Sequence, residues 1–191
     1  MVKELFKNKY RIDSCRLKGW DYSWSGYYFV TICTNNRIHF FGQVKNEKMY
    51  LSDIGKIAMQ CWKEIPKHFP LVVLDEYMIM PNHIHEILII ANPVEAQNFV
   101  EAQNFAPLRE GYKNEFGPQS KNLASIIRGF KIGVTKNARV IHSNFAWQPN
   151  YHDHIIRNNR AYNNISKYIF NNPSKWKVDT FNTIKPNSDN E

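Results

Sequence analysis

The chain has 191 residues, 43% hydrophobic and 22% charged, with a net charge of +8 and an isoelectric point near 9.3. That length suits one domain with decorations, and no apolar run approaches the roughly 18 to 20 residues a membrane span requires, so no membrane role is expected. The positive balance favours a polyanionic partner, because lysines and arginines gain affinity by neutralising phosphates and releasing their counterions. The first residues carry charges with no apolar stretch behind them, which is not the pattern of a secretory signal. The three cysteines, Cys15, Cys33 and Cys61, lack the paired spacing of a zinc site. A reducing, cytoplasmic setting is expected, with ordinary packing roles for the thiols.

In chain order, residues 10–22 interleave Arg11, Arg16 and Lys18 with Tyr10, Trp20 and Tyr22, as an arm could. Tyr27 to Thr34 is β-branched and aromatic between Gly26 and Asn35-Asn36, the composition of a buried strand. Residues 40–44 and 48–51 flank a polar Lys45-Asn46-Glu47 turn and predict a hairpin. Ser52 or Asp53 can cap a helix carrying Ile54, Ile57, Ala58, Cys61, Trp62 and Ile65 at helical spacing, with Pro66 marking its exit.

Two strands are predicted next, over 71–80 and 84–91, separated by Pro81-Asn82. Beyond them Val94-Glu95-Ala96-Gln97-Asn98-Phe99 recurs unchanged as residues 100–105. So short a duplication cannot make a repeat fold, and residues 92–119 read as a mobile insertion without a catalytic role. From Ser120 to about Val140 the spacing of Leu123, Ile126, Ile127, Phe130 and Val134 predicts a basic amphipathic helix bearing Arg128, Lys131, Lys136 and Arg139. An extended segment through Tyr151 to Ile156 precedes a last helix that starts at Asn158 or Asn159 and ends near Asn172-Pro173. This order of elements predicts an α+β sandwich, helices over an antiparallel sheet, in a single domain spanning 1–191 with a short tail.

The local signal with most chemistry is His83-Ile84-His85. On a strand, residues i and i+2 project from one face, so two imidazoles can meet one cation while the isoleucine between them enters the core. His152-Asp153-His154 has the same spacing but a polar residue in the middle; convergence of the two pairs would make a four-histidine zinc hydrolase site. Tyr168 and Asn172 lie four apart on the last helix and so share a face, though a tyrosine in such a helix also suits the core; Tyr162 and Tyr151 are rivals by spacing.

Together these pieces resemble the REP-associated tyrosine transposases, single-tyrosine members of the HUH superfamily, over most of the chain. The resemblance rests on Gly26 to Thr34, on Met80-Pro81-Asn82-His83-Ile84-His85, on Ser125-Ile126-Ile127-Arg128-Gly129-Phe130-Lys131, on Trp147 to Arg157 and on Tyr168-Ile169-Phe170-Asn171-Asn172-Pro173, in the family's order. It implies a ferredoxin-like fold with His83 and His85 as metal ligands, Tyr168 as nucleophile and Asn172 as third ligand. The implied metal is Mg²⁺ or Mn²⁺, hard ions that accept an amide oxygen and keep several waters. The implied reaction is cleavage and rejoining of single-stranded DNA at hairpin or repeat sequences through a 5′-phosphotyrosine, by a monomer or homodimer. Arg128, Lys131, Lys136, Arg139 and Arg157 are candidate phosphate contacts, and Trp20, Tyr22 and Trp147 candidate base-stacking residues. A non-catalytic hairpin-binding protein on the same fold is the alternative, and the tail after Trp176 offers little further surface for DNA.

Overall fold

The computed structural model describes residues 17, 19–91 and 122–182. Cys15, most of the basic segment before Trp20 and the duplicated hexapeptide with its surrounding insertion lie outside the described residues. Among the described residues no helix is long and apolar enough to cross a membrane.

The elements are β1 (Gly26–Cys33), β2 (Gly42–Lys45), β3 (Lys48–Leu51), α1 (Asp53–His68), β4 (Val72–Ile79), β5 (His83–Ile90), α2 (Leu123–Ile141), β6 (His152–Ile156), α3 (Asn159–Phe170) and α4 (Asn172–Lys175). Short 3₁₀ turns follow at Trp176–Val178 and Thr180–Asn182. The main sheet has the order β4-β5-β1-β6, each neighbouring pair antiparallel. Its strands join in the pattern β-α-β-β-α-β, with β2 and β3 forming a separate hairpin. This is the expected ferredoxin-like α+β sandwich.

The caps fall where side chains can supply them. Ser52 Oγ accepts from the Gly55 N–H at 3.1 Å, Asn122 and Ser125 form a reciprocal capping box, and Asn158 Oδ1 accepts from the Ala161 N–H at 2.8 Å. The hairpin turns through Asn46 and Glu47, both with positive φ, the twist that lets two-residue loops join antiparallel strands. The exit of α1 differs from expectation: the helix runs through Pro66 to His68. A proline ring removes a single intrahelical donor, and the next turn is still closed by the Phe69 N–H on the Ile65 carbonyl at 2.9 Å.

Strand alternation divides the sheet into two unlike faces. One presents Tyr28, Val30, Ile32, Ile84 and Leu88 to Trp62 of α1 and Ile126, Ile127 and Phe130 of α2, forming the larger core. The other presents Tyr27, Ile87, Ile89 and Ile156 to Ile169 of α3, a smaller core covering only part of the face. Every residue of β5 is buried, because this interior strand is covered on both sides. A bulge in β4 between Leu74 and Tyr77 interrupts the alternation, and Asp75, inside it, accepts a hydrogen bond from the Tyr162 hydroxyl of α3 at 2.8 Å.

Candidate active site

The part of the second face that the α3 core leaves uncovered holds the polar cluster. His83 and His85 both point there from β5, their ring centroids 4.5 Å apart, and both are buried. Burial without a counter-charge favours the neutral imidazole. It pushes His83 well below its ordinary pKa, helped by His85, Arg37 and His39, and pushes His85 down to about 3, helped by His152.

Each ring is oriented by a hydrogen bond at Nδ1. His83 Nδ1 lies 2.8 Å from Asn82 Oδ1, an acceptor, so the ring proton sits on Nδ1 and the lone pair on Nε2. Asn82 is itself fixed, its amide donating to the Arg37 carbonyl at 3.0 Å and the Phe181 carbonyl at 2.7 Å. His85 Nδ1 lies 2.8 Å from Thr31 Oγ1 on the neighbouring strand, and His85 Nε2 lies 3.1 Å from the Tyr168 hydroxyl. With Tyr168 donating to Nε2, the His85 proton also sits on Nδ1 and is donated to Thr31.

Tyr168 comes from α3 and Asn172 from the first position of α4. The backbone breaks between the two helices at Asn171, and Pro173 suits the first turn of the second because its missing N–H would have no partner there. The break does not separate the pair: the buried Asn172 side chain hydrogen-bonds the half-exposed Tyr168. Burial and the charge of Asp179 raise the Tyr168 pKa, while the Asn172 hydrogen bond pulls it back. At neutral pH the phenol therefore keeps its proton.

Three observations test whether a divalent ion fits. His83 Nε2 and Asn172 Oδ1 are buried and have no protein hydrogen-bond partner, although an orphaned buried acceptor is costly. His85 Nε2 presents a lone pair in the same cluster. Two imidazole nitrogens and an amide oxygen form a neutral donor set that leaves the remaining positions of a hard cation to water and phosphate. The residues fit, and ligation through His85 Nε2 requires its hydrogen bond to Tyr168 to give way. Among the described residues no three His, Cys, Asp or Glu side chains form a metal-binding group, so the two His-x-His pairs do not make a four-histidine centre.

The C-terminal segment closes one side. Phe181 packs its ring 4.6 Å from His83 and 5.9 Å from His85, with Arg37 over it at 4.7 Å, while Trp176 lies 6.0 Å from His83. Arg37 also donates to the Thr180 carbonyl. A cavity of about 550 Å³ adjoins the cluster, its lining including His85, Thr31, Tyr168 and Phe181 together with Gln148 and His152.

No protein-family model matches the chain. It is 42% identical over 167 residues to an uncharacterised protein of Haemophilus influenzae, covering 87% of this chain and 90% of that one. It is 27% identical over 156 residues, 81% of this chain and 74% of the other, to a second Haemophilus influenzae protein provisionally assigned as a REP-associated tyrosine transposase. Among solved structures, a REP-associated tyrosine transposase bound to a REP hairpin superposes with a TM-score of 0.51, covering 87% of this chain and 73% of that one. At 20% identity that likeness speaks for the fold. The chain shares the fold of that REP-associated tyrosine transposase.

On this fold, the structure brings together His83, His85, Tyr168 and Asn172 as one hydrogen-bonded and ring-packed cluster. The rival Tyr162 is committed to Asp75, which together with burial pushes its hydroxyl up to about 12. Tyr151 lines the cavity beside Asn150. Several surface expectations need correction. Trp20 is 2% exposed and donates to the Tyr28 hydroxyl at 3.1 Å, and Tyr22 is buried against the same tyrosine; both belong to the core and present no face for a base. Trp147 is half-buried among Phe41, Phe130 and Phe145, its indole N–H on the Lys131 carbonyl.

Lys131 is likewise committed. Its amine donates to the Gln148 and Asn150 carbonyls at 2.7 and 3.0 Å, and burial pushes its pKa down to about 8. It braces the cavity wall, and its charge is spent on that loop. Arg139 is exposed but has its Nε on the Phe145 carbonyl, while Arg128 and Lys136 are exposed on α2, a helix of the opposite sheet face. Arg157, just after β6, is exposed and lies over Trp20. Thr31, Asn82, Arg37 and Phe181 were not singled out from sequence. Asn82 carried a signal, standing directly before the first histidine; Phe181 carried none.

Proposed function

We propose that the chain is a metal-dependent single-stranded DNA transesterase that cleaves and rejoins DNA at hairpin or repeat sequences through a 5′-phosphotyrosine. The observation that carries this reading is the Tyr168 hydroxyl 3.1 Å from His85, beside a second buried histidine and an amide oxygen with no other partner. A structural tyrosine would not need that company. The named hairpin ligand of the solved relative supports DNA hairpins as the substrate class.

Bound Mg²⁺ or Mn²⁺ would supply charge to the scissile phosphate as negative charge develops there. His83, His85 and Asn172 would hold it, with Asn82 and Thr31 keeping both rings oriented. Tyr168 oxygen attacks phosphorus in line and the 3′-oxygen leaves; the ester retains the phosphodiester's energy, so a 3′-hydroxyl can reverse the step without ATP. The reaction requires a single-stranded or unstacked phosphate, which the cavity beside Tyr168 would receive.

The test uses a pool of hairpin oligonucleotides with randomised single-stranded flanks, labelled on the 3′ side. A denaturant-resistant protein–DNA adduct is expected with Mn²⁺ or Mg²⁺ and none with EDTA. Tyr168→Phe abolishes the adduct and leaves hairpin binding in place; an adduct from the Phe variant removes Tyr168 as nucleophile. The packing of Phe181 against both histidines favours a second reading, hairpin binding without chemistry. That reading predicts retention of hairpins and no adduct under any metal condition.

A further inference from the structure

Resting on the transesterase reading, we propose that His152 is the general acid and base of the strand-transfer reaction, protonating the departing 3′-oxygen and deprotonating the attacking 3′-hydroxyl in the reverse step. The register places it. Thr31 of β1 pairs with His85 of β5 on one side and with His152 of β6 on the other, so three side chains stand in a row on one face. With neighbouring strands about 4.8 Å apart, His152 stands about 10 Å from His85. Tyr168, bonded to His85, marks one end of this row, and His152 lines the same cavity at the other. The two imidazoles are close enough for charge on His152 to depress the His85 pKa.

An in-line displacement needs its nucleophile and leaving group on opposite sides of phosphorus, and the register puts His85, which holds Tyr168, and His152 on opposite sides of Thr31. Three of the other ionisable groups on the walls are unsuited to the task. Arg37 does not give up its proton, Cys33 is buried, and His85 is oriented by Thr31 and faces Tyr168. Histidine is the side chain that both gives and takes a proton around neutral pH. β6 is an edge strand and His152 is exposed, so a substrate can reach it without moving the core.

In the forward step the Tyr168 oxygen–phosphorus bond forms and the phosphorus–O3′ bond breaks. The electron pair leaves on O3′, which takes the proton of the His152 imidazolium, while the tyrosine proton passes to solvent through the cavity. In the reverse step neutral His152 takes the proton of the incoming 3′-hydroxyl, phosphorus is transferred to that oxygen, and the Tyr168 phenol reforms with a solvent proton.

The experiment compares the full chain with His152→Gln and His154→Gln on one cleaved hairpin recovered from the pool above. The hairpin is made with either oxygen or sulfur as the 3′-bridging atom, in Mn²⁺. A thiolate leaves without a proton, so His152→Gln is expected to slow the oxygen substrate on the order of 10²-fold and the sulfur substrate less than about threefold, with hairpin affinity unchanged. His154→Gln should cleave both at the parent rate. Equal slowing of both substrates, or no slowing of either, overturns the role of His152 while leaving the transesterase intact. If the unmodified chain forms no adduct with either substrate, the transesterase reading falls, and His152's role with it.

Discussion

The molecule carries the same three-residue pattern twice, and the two copies could hardly differ more in setting. His83-Ile84-His85 begins an interior strand in which every residue is buried; His152-Asp153-His154 begins an edge strand whose histidines are exposed. In the first copy the middle residue is 1% exposed within the larger core, and each flanking imidazole is held by a hydrogen bond at Nδ1. In the second the middle residue is a half-buried aspartate. Spacing puts two imidazoles on one face. Strand position decides whether they become oriented neutral donors or accessible side chains at the rim of a cavity.

The largest expected contrast is in the residues between the histidines. Ile84→Asp would bury an unpaired carboxylate in the main core and should cost more than about 4 kcal/mol, while Asp153→Asn should change stability by less than about 1 kcal/mol. Urea unfolding of both variants measures the difference, and similar losses would mean that the two strands are equally buried. Next, His85→Gln should reduce metal-dependent adduct formation more than about 100-fold, because even the outer partners of a metal-binding imidazole are worth 10- to 100-fold. At the exposed pair, His154→Gln should stay within about twofold. Equal effects on adduct yield would erase the functional distinction between the copies.

The smallest effect concerns Glu86, which follows His85 but points to the opposite face. Burial raises its pKa well above the ordinary 4.5, and neither carboxylate oxygen has a protein partner. The fold therefore favours the protonated acid, and the stability from this group is fully present below about pH 4.5 and lost as pH rises toward the folded-state value. Glu86→Gln keeps the shape without the proton. Its stability advantage over the parent should be absent near pH 4 and grow as pH rises above about 4.5, by no more than about 1.4 kcal/mol per pH unit, read from thermal or urea unfolding. A pH-independent difference would show that Glu86 ionises at no cost.

Much of this architecture is legible from local pattern. The apolar spacing in α1 and α2, the capping residues Ser52 and Asn158, and the β-branched runs of β1 and β5 each act over a turn or a few residues, so reading them needs no knowledge of the rest of the chain. The aromatics near the basic residues were less legible. A tryptophan beside arginines suits a stacking platform and a core equally well, and Trp20 went to the core because the Tyr28 hydroxyl, eight residues on, was there to satisfy its N–H. Lys131 looked like a phosphate contact until its amine met two carbonyls of the following loop.

The sequence by itself determined the α+β class, the element order and four residues whose types suit metal-assisted phosphoryl transfer, because helix periodicity, strand alternation and side-chain chemistry are properties of short segments. Only the tertiary structure decided which His-x-His pair is buried, that Asn172 hydrogen-bonds Tyr168 across a helix break, that Phe181 packs on both histidines through a backbone contact to Asn82 99 residues earlier, and that His152 shares a cavity with the tyrosine. Those facts depend on which strand is interior and which is an edge, and on what covers each face of the sheet. Pairing between distant segments sets both, and no short stretch of the chain records it.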